Sequence, residues 1–193
     1  MDQILDYAVQ NNVQIIRDES LGVLLDTVKK YNPKNILEIG TAIGYSGIHM
    51  LKVSSAKLTT VELDKTRFEV TKSNFTRFAL ADRVEMFNVD ALKYLQDAVD
   101  GGKKFDFVFL DGPKGQYVKY LPYLDKLLVG GGIIFADNVY FRGMVQGDEV
   151  PPHKYRTIVV NMRKYLQKVS EKPFKTQIID IEDGIAITQK EGE

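Results

Sequence analysis

The sequence predicts an α/β fold: a single domain, residues 1–193, built on a doubly wound, mostly parallel seven-stranded sheet with an antiparallel hairpin at its C-terminal end. Short apolar runs alternate with helical patterns, as expected for parallel strands joined by right-handed crossovers. The run Phe105–Leu110 (FDFVFL) is almost continuously apolar, which is typical of a strand covered on both faces. Near the C-terminus, Asp183-Gly184 between two β-patterns indicates a hairpin.

The first half of the chain supplies two leading helices and three pairs of a strand and a helix. The leading helical patterns lie near 3–11 and 20–31. Apolar runs then predict strands at 35–39 (NILEI), 58–63 (LTTVEL) and 84–89. The helices that follow them begin after Gly44, near 65 and near 91, and the last two end near 79 and 99. This order favours a parallel arrangement of the first three strands.

The second half continues the alternation and then changes character. The strand 105–110 is followed by a helix over about 115–128, which we expect to end at the glycine run 130–132, because three glycines suit left-handed capping and a turn. A fifth strand is predicted at 133–136. After it come a loop over 139–152, a basic helix near 154–169, and strands at 176–181 and 185–189.

Composition excludes several classes of protein and site. Lys and Arg balance Asp and Glu at 26 each, so the total charge indicates no partner. Cysteine is absent, which excludes disulfides and thiolate metal sites. No apolar run approaches the ~20 residues that span a bilayer, and Met1–Ala8 has no signal-peptide pattern. We therefore expect no membrane association and a cytoplasmic protein.

The charge is less even along the chain. Between Arg142 and Lys175, eight Lys and Arg residues stand against three Asp and Glu, an excess of five positive charges. Such a stretch can bind an anionic partner, or it can be the solvated face of a helix. Charge alone leaves both interpretations open.

Three strand ends carry residues suited to a nucleoside ligand. Ligands of open α/β sheets bind beyond the carboxyl ends of the strands. The first strand runs into a turn with Gly40 and Gly44, and the second ends at Glu62, whose carboxylate can accept both hydroxyls of a ribose. Asp90 follows the third strand, where it can reach an adenine edge. Singly, these residues could be turn formers, a solvated strand end and a helix cap.

The next two strands end in oxygen ligands. Asp111 follows FDFVFL directly, and Asp137 and Asn138 follow IIFA. Oxygen ligands suit hard cations such as Mg²⁺, Mn²⁺ or Ca²⁺, so the pattern predicts a site for one of them. Lys114 lies three residues after Asp111. Beside a bound cation its neutral form would be favoured, so it could act as a general base, or it could be a surface lysine at a helix start.

Together these motifs resemble the catechol O-methyltransferase-like family of metal- and S-adenosylmethionine-dependent O-methyltransferases. The matching segments are LEIGTAIGYS (37–46), VEL (61–63), FVFLDGPKGQY (107–117), GGGIIFADNV (130–139) and EDGIAITQK (182–190). The resemblance implies a Rossmann-like methyltransferase fold. It implies metal ligation by Asp111, Asp137 and Asn138, with Lys114 and Asp111 as catalytic residues. The cofactor contacts that it implies are Ile16, Glu38, Gly40, Gly44, Tyr45, Ser46, Glu62, Asp90, Ala91 and Asp111.

Within the family, DGPKGQY, DNVYFRGMV and DGIAI most resemble bacterial tRNA 5-hydroxyuridine methyltransferases. This resemblance predicts tRNA as substrate, methylated at the wobble uridine to 5-methoxyuridine, with Arg142, Lys154 and Arg156 as candidate contacts to phosphates. The alternative is a small catechol or phenol acceptor, and a third reading is a nucleoside-binding module without methyl transfer. The family resemblance also implies a homodimer.

Overall fold

The bounds of the helices and strands follow the predicted pattern closely. The computed structural model describes residues 1–147 and 149–192; Asp148, one of the acidic residues in the basic stretch, and Glu193, the end of the predicted domain, lie outside the described residues. The strands are β1 (Asn35–Ile39), β2 (Lys57–Val61), β3 (Val84–Phe87), β4 (Phe105–Leu110), β5 (Leu128–Asp137), β6 (Phe174–Ile179) and β7 (Ile185–Lys190). The α-helices are α1 (Asp2–Gln10), α2 (Asp18–Tyr31), α3 (Tyr45–Lys52), α4 (Lys65–Arg77), α5 (Ala91–Asp100), α6 (Tyr117–Leu127) and α7 (Arg156–Val169).

The strands form one sheet in the order β3-β2-β1-β4-β5-β7-β6. The first five are parallel, whereas β7 runs antiparallel to both β5 and β6. The predicted doubly wound sheet with its C-terminal hairpin is therefore confirmed. The strand order reverses between β1 and β4, and open α/β sheets bind ligands at such a reversal.

The core has two apolar layers, one on each face of the sheet. Alternation along β4 illustrates this, because successive side chains of a strand point to opposite faces. Phe107 and Phe109 pack into the layer that also holds Ile36, whereas Val108 and Leu110 pack into the other. All four β4 side chains are fully buried, as the continuous apolar run predicts. Within the described residues, no helix is both long and apolar enough to cross a membrane.

Two local predictions differ from the structure. The glycine run 130–132 is not a turn after α6, because that helix ends at Leu127 and the glycines belong to β5. Gly131 has φ +79° and the register shifts between Phe105 and Phe107, so the run makes an irregularity in the strand rather than a cap. The connection between β6 and β7 spans residues 180–184, longer than a two-residue Asp-Gly turn.

Candidate active site

A cleft of about 850 Å³ opens at the carboxyl ends of the parallel strands. It extends from the end of β2, across β1 and β4, to the end of β5, where the order of the strands reverses. The segment 14–17, which precedes α2, lines it from the other side. Of the site residues predicted from the sequence, those that line the cleft are Ile16, Gly40, Glu62, Asp90, Ala91, Asp111, Lys114, Asp137, Asn138 and Arg142.

Gly40 fixes the distance between the ends of β1 and β4. Its φ is +96°, which disfavours residues with a side chain. A Cβ at this position would lie 2.6 Å from the carbonyl oxygen of Asp111. The absence of a side chain thus allows the glycine turn after β1 to lie directly against the backbone that carries Asp111.

Glu62 is held by the backbone directly after β2. One carboxylate oxygen accepts the Ala42 N–H at 2.9 Å, and the other accepts the Asp64 N–H at 2.8 Å. Each oxygen keeps further capacity to accept a hydrogen bond. The carboxylate is therefore oriented before any ligand binds, and it faces the cleft as the ribose hypothesis requires.

Asp90 serves as a helix cap and also lines the cleft. One of its carboxylate oxygens accepts the N–H groups of Leu92 and Lys93 at the start of α5. Asp90 therefore caps α5, which was the alternative interpretation of this residue. Because Asp90 also belongs to the wall of the cleft, together with Ala91, the cap does not exclude a ligand contact.

Two carboxylates and one amide meet where β4 and β5 end. Burial, and then the charge of Asp111, raise the pKa of Asp137 to about 6. The Asn138 N–H donates to Asp137 at 2.9 Å, and Asn138 itself has φ +55°. No group of three His, Cys, Asp or Glu side chains gathers as a metal site in residues 1–147 and 149–192. Two carboxylates that repel each other beside an amide oxygen nevertheless fit a hard divalent cation.

Lys114 is tied to the same cluster. Its ammonium lies 2.8 Å from a carboxylate oxygen of Asp111 and 3.0 Å from the hydroxyl of Tyr117, which in turn donates to the Leu110 carbonyl. Burial alone would lower the pKa of Lys114, but Asp111 and Tyr117 raise it overall. Without a metal ion, therefore, Lys114 is a cation paired with Asp111, and its role as a base stays a prediction.

Four of the predicted cofactor contacts are buried and do not belong to the cleft wall: Glu38, Gly44, Tyr45 and Ser46. The buried Glu38 carboxylate accepts hydrogen bonds from Ser46 at 2.5 Å and Thr60 at 2.6 Å. Gly44, with φ +83°, precedes the first turn of α3. The direct contact of these four residues with a cofactor stays a prediction.

The buried Glu38 should make stability depend on pH. Burial raises its pKa from 4.5 to about 7, despite the bonds from Ser46 and Thr60. Between these values the unfolded chain loses the proton while the folded protein keeps it, so the free energy of unfolding should fall as the pH rises from about 4.5 to 7. The loss should be about 3 kcal/mol, at 1.36 kcal/mol per pKa unit. The substitution Glu38→Gln should remove this pH dependence of the free energy of unfolding.

Urea denaturation at a series of pH values checks this expectation. The difference between Glu38→Gln and the wild-type protein should grow from pH 5 to pH 7 and then level off. Glu69→Gln, at an exposed position of α4, is the matched control and should follow the wild type. A pH-independent difference for Glu38→Gln would contradict the assignment.

The loop after β5 brings a basic and aromatic group to one end of the cleft. Phe141 and Arg142 line the cleft, and both contact Tyr155. The Phe141 and Tyr155 rings meet edge to face at 5.5 Å, and the Arg142 guanidinium donates to the Tyr155 hydroxyl at 2.9 Å. Lys154 lies over the same ring at 4.6 Å. Lys154 and Arg156 are exposed and outside the cleft wall.

Sequence reasoning missed several residues of the cleft wall. Arg17 and Arg67 add positive charge, while Tyr120, Phe141 and Asp183 belong to the same wall. Arg17 stands next to the predicted Ile16, so proximity along the chain was a usable signal. Asp183 was read only as part of a hairpin turn, because no local pattern shows what its carboxylate contacts.

Comparisons with known proteins agree with this geometry. A sequence model of the family described as O-methyltransferase matches residues 4–191. The chain belongs to this O-methyltransferase family. A protein of Arabidopsis thaliana assigned as a caffeoyl-CoA O-methyltransferase is 32% identical over 169 residues, covering 84% of this chain and 72% of that protein. The catechol O-methyltransferase of Niastella koreensis is 36% identical over 115 residues, or 58% of this chain and 52% of the relative.

Solved structures support the same fold for this O-methyltransferase. An O-methyltransferase from Bacillus cereus in complex with S-adenosylhomocysteine (SAH) superimposes with a TM-score of 0.86 at 24% identity, over 98% of this chain and 90% of that chain. The predicted family and the Rossmann-like methyltransferase fold are therefore confirmed. The closer resemblance to tRNA methyltransferases, the metal ion and the homodimer stay predictions.

Proposed function

We propose that this O-methyltransferase transfers the methyl group of S-adenosylmethionine to a hydroxyl that lies beside a second oxygen on a small phenol of the catechol type, assisted by Mg²⁺ (or Mn²⁺ or Ca²⁺). One observation carries the proposal. Asp111, Asp137 and Asn138 line the same cleft as Glu62, so residues suited to a divalent cation and to a nucleoside share one cavity. A nucleoside-binding module without methyl transfer would not need the residues suited to a cation, Asp111, Asp137 and Asn138.

Different residues of the cleft would bind the methyl donor, hold the cation and accept the proton. Glu62 would hold the ribose hydroxyls and Ile16 would cover the methionine part, so that donor and acceptor are oriented for in-line transfer. Asp111, Asp137 and Asn138 would hold the cation, which when bound supplies Lewis acidity that lowers the pKa of the acceptor hydroxyl. Lys114 would take the hydroxyl proton once a cation competes for Asp111, since its ion pair would then weaken.

The small acceptor is favoured by the relatives and by the site chemistry. The two curated relatives described above are named for caffeoyl-CoA and catechol, both small molecules. A catechol presents two neighbouring oxygens to one cation, which matches a three-ligand site with positions left for substrate. Phe141 at the wall of the cleft offers a face or edge to a planar ring.

An assay with S-adenosylmethionine labelled in the methyl group tests the acceptor class. Purified protein with Mg²⁺ is offered a panel of catechols in one arm and, in the other, bulk tRNA from a strain that lacks the gene. Label in a catechol and none in tRNA is the expected result. Label in tRNA alone would overturn the small-molecule proposal in favour of the second candidate.

The second candidate acceptor is tRNA bearing 5-hydroxyuridine, whose 5-hydroxyl lies beside O4 and offers the same pair of oxygens. The observation that favours it is the cluster of Arg142, Lys154 and Tyr155 at one end of the cleft. Two cations on an aromatic ring suit a phosphate beside a base. Helix α7 carries further exposed cations, Lys164 and Lys168.

Charge reversal separates the two candidates. If tRNA is the acceptor, reversing Arg142, Lys154 and Arg156 to Glu should weaken tRNA binding by about tenfold or more and reduce its salt dependence, because fewer counterions are released. Binding of S-adenosylmethionine should not change. Lys168→Glu is the matched control, since it lies on the same helix about 18 Å beyond Arg156 at 1.5 Å per residue. Unchanged tRNA methylation in the triple variant would indicate that Arg142, Lys154 and Arg156 form a solvated surface without a role in tRNA binding.

A further inference from the structure

The turn between β6 and β7, residues 180–184, contacts both walls of the cleft. Glu182 has φ +53°, in the left-handed region that residues with side chains rarely adopt, and Gly184 has φ +78°. A Cβ on Gly184 would lie 2.5 Å from the Tyr140 ring, so the turn packs tightly on the loop after β5. Strained backbone of this kind persists where surrounding contacts hold it, and it is frequent at functional sites.

Asp183 holds the loop after β5 by its backbone. Its carboxylate accepts the Arg142 N–H at 2.7 and 2.9 Å, one distance for each oxygen, and the Gly143 N–H at 3.3 Å. Its carbonyl accepts the Tyr140 N–H at 2.9 Å. These bonds join residues 40 positions apart or more, so they fix the loop relative to the sheet.

The loop held in this way is itself strained. Asn138, Phe141, Arg142 and Gly143 all have positive φ, between +47° and +73°. Arg163 closes the far side of the loop, because its guanidinium donates to the carbonyls of Met144, Val145 and Gly147. The candidate ligand Asn138 and the wall residue Phe141 therefore keep their positions only while the loop is held.

Glu182 makes the corresponding contact with the opposite wall. Its carboxylate accepts hydrogen bonds from the hydroxyl of Ser20 at 2.5 Å and from the Ser20 N–H at 3.3 Å. Ser20 is fully buried in the first turn of α2. The segment 14–17, which lines the cleft, leads directly into that turn. The first turn of a helix favours a nearby anion, which strengthens this contact.

We infer that the turn 180–184 positions both walls of the active site: Asp183 fixes the metal and acceptor loop, residues 138–147, and Glu182 fixes the cofactor-covering segment, residues 14–17. This inference rests on the proposed function for the identity of the two ligands. Glu182 and Asp183 are positioning residues, since they act through Ser20 and through the loop backbone. Two neighbouring carboxylates thereby tie the donor wall to the acceptor wall.

Substitutions at Asp183 test the first half. Asp183→Ala should speed amide exchange of Arg142 and Gly143 and weaken Mn²⁺ binding by about tenfold, the effect of losing one charge-assisted hydrogen bond. Binding of S-adenosylmethionine should stay within about twofold of the wild type. Asp183→Asn keeps one acceptor oxygen and should restore part of the Mn²⁺ affinity. If Asp183→Ala does not fold, the same measurements on Asp183→Asn test the role of Asp183.

Substitutions at Glu182 test the second half. Glu182→Ala should speed amide exchange over residues 14–21 and weaken binding of S-adenosylmethionine by about fivefold. Mn²⁺ binding should change less than binding of S-adenosylmethionine, because Ser20 also faces Asp137 but is not one of the proposed metal ligands. Glu182→Gln keeps an acceptor for Ser20 and should restore binding. Both variants keep a side chain at positive φ, so their difference isolates the hydrogen bond from the backbone strain.

The inference is overturned if the Arg142 and Gly143 amides exchange at the wild-type rate in both Asp183 variants, or if Glu182→Ala binds S-adenosylmethionine as well as Glu182→Gln does. Neither amide exchange nor binding of S-adenosylmethionine requires an acceptor. A wrong acceptor class would therefore appear in the methylation assay alone, and a wrong positioning role would appear in these measurements alone.

Discussion

EDTA should abolish methyl transfer by this O-methyltransferase, and Mg²⁺ or Mn²⁺ should restore it. The reason is the pair of carboxylates at the ends of β4 and β5, where the charge of Asp111 helps to raise the pKa of the buried Asp137. A divalent cation removes this repulsion and lowers the pKa of the acceptor hydroxyl. Full activity in the presence of EDTA would contradict the metal site.

The variant Asp137→Asn separates loss of the metal from loss of the fold. In wild-type protein, Mn²⁺ at a hundredfold excess over its dissociation constant should add about 2.7 kcal/mol to the free energy of unfolding. Asp137→Asn should lose this increment and the activity. Its metal-free form should be at least as stable as the wild type, because a buried charge is removed. Asp26→Asn, at an exposed position on α2, is the control and should keep the full increment.

Glu62→Ala should weaken binding of S-adenosylmethionine by about a hundredfold or more. Two charge-assisted hydrogen bonds to the ribose are worth about 1.5–3 kcal/mol each, and about 2.7 kcal/mol corresponds to a hundredfold. Titration calorimetry with S-adenosylmethionine or with the product SAH measures the effect. An unchanged dissociation constant would exclude Glu62 from the binding site.

A ligand analogue distinguishes a direct contact from damage to the glycine turn, because Glu62 also accepts the N–H groups of Ala42 and Asp64. In the wild type, SAH that lacks the 2′-hydroxyl should bind at least about tenfold more weakly than SAH. In Glu62→Ala the two ligands should bind equally. If Glu62→Ala weakens binding of the two ligands by the same factor, so that the ratio of their dissociation constants is the same in both proteins, Glu62 acts only through the turn.

The residues that the sequence places well are those that directly follow buried strands. FDFVFL and IIFA are recognisable by their apolar runs, so Asp111 and Asp137 could be located at one edge of the sheet before any coordinates. Parallel strands carry their carboxyl ends to the same edge, which explains why both line one cleft. Glu62 was found by the same reasoning.

The contacts that the sequence does not show are those between distant segments. Asp183 bonds the Arg142 backbone across 41 positions, and Glu182 reaches Ser20 across 162. The hydrophobic periodicity of a sequence does not indicate which distant residues contact each other. Glu38 illustrates a different limit, because the sequence does not show that this carboxylate is buried and accepts hydrogen bonds from Ser46 and Thr60. Its contact with a cofactor stays a prediction.

Gly40 has a consequence for how this enzyme can change. Because a side chain there would collide with the Asp111 backbone, the main chain sets the spacing between the glycine turn after β1 and the backbone that carries Asp111. The loop after β5 is held by different bonds, those from Arg142 and Gly143 to Asp183. Exchanging residues 139–147 with those of a relative should therefore change the acceptor wall at Phe141 and also disturb Asn138, whereas the contact of the glycine turn with Asp111 should stay as it is.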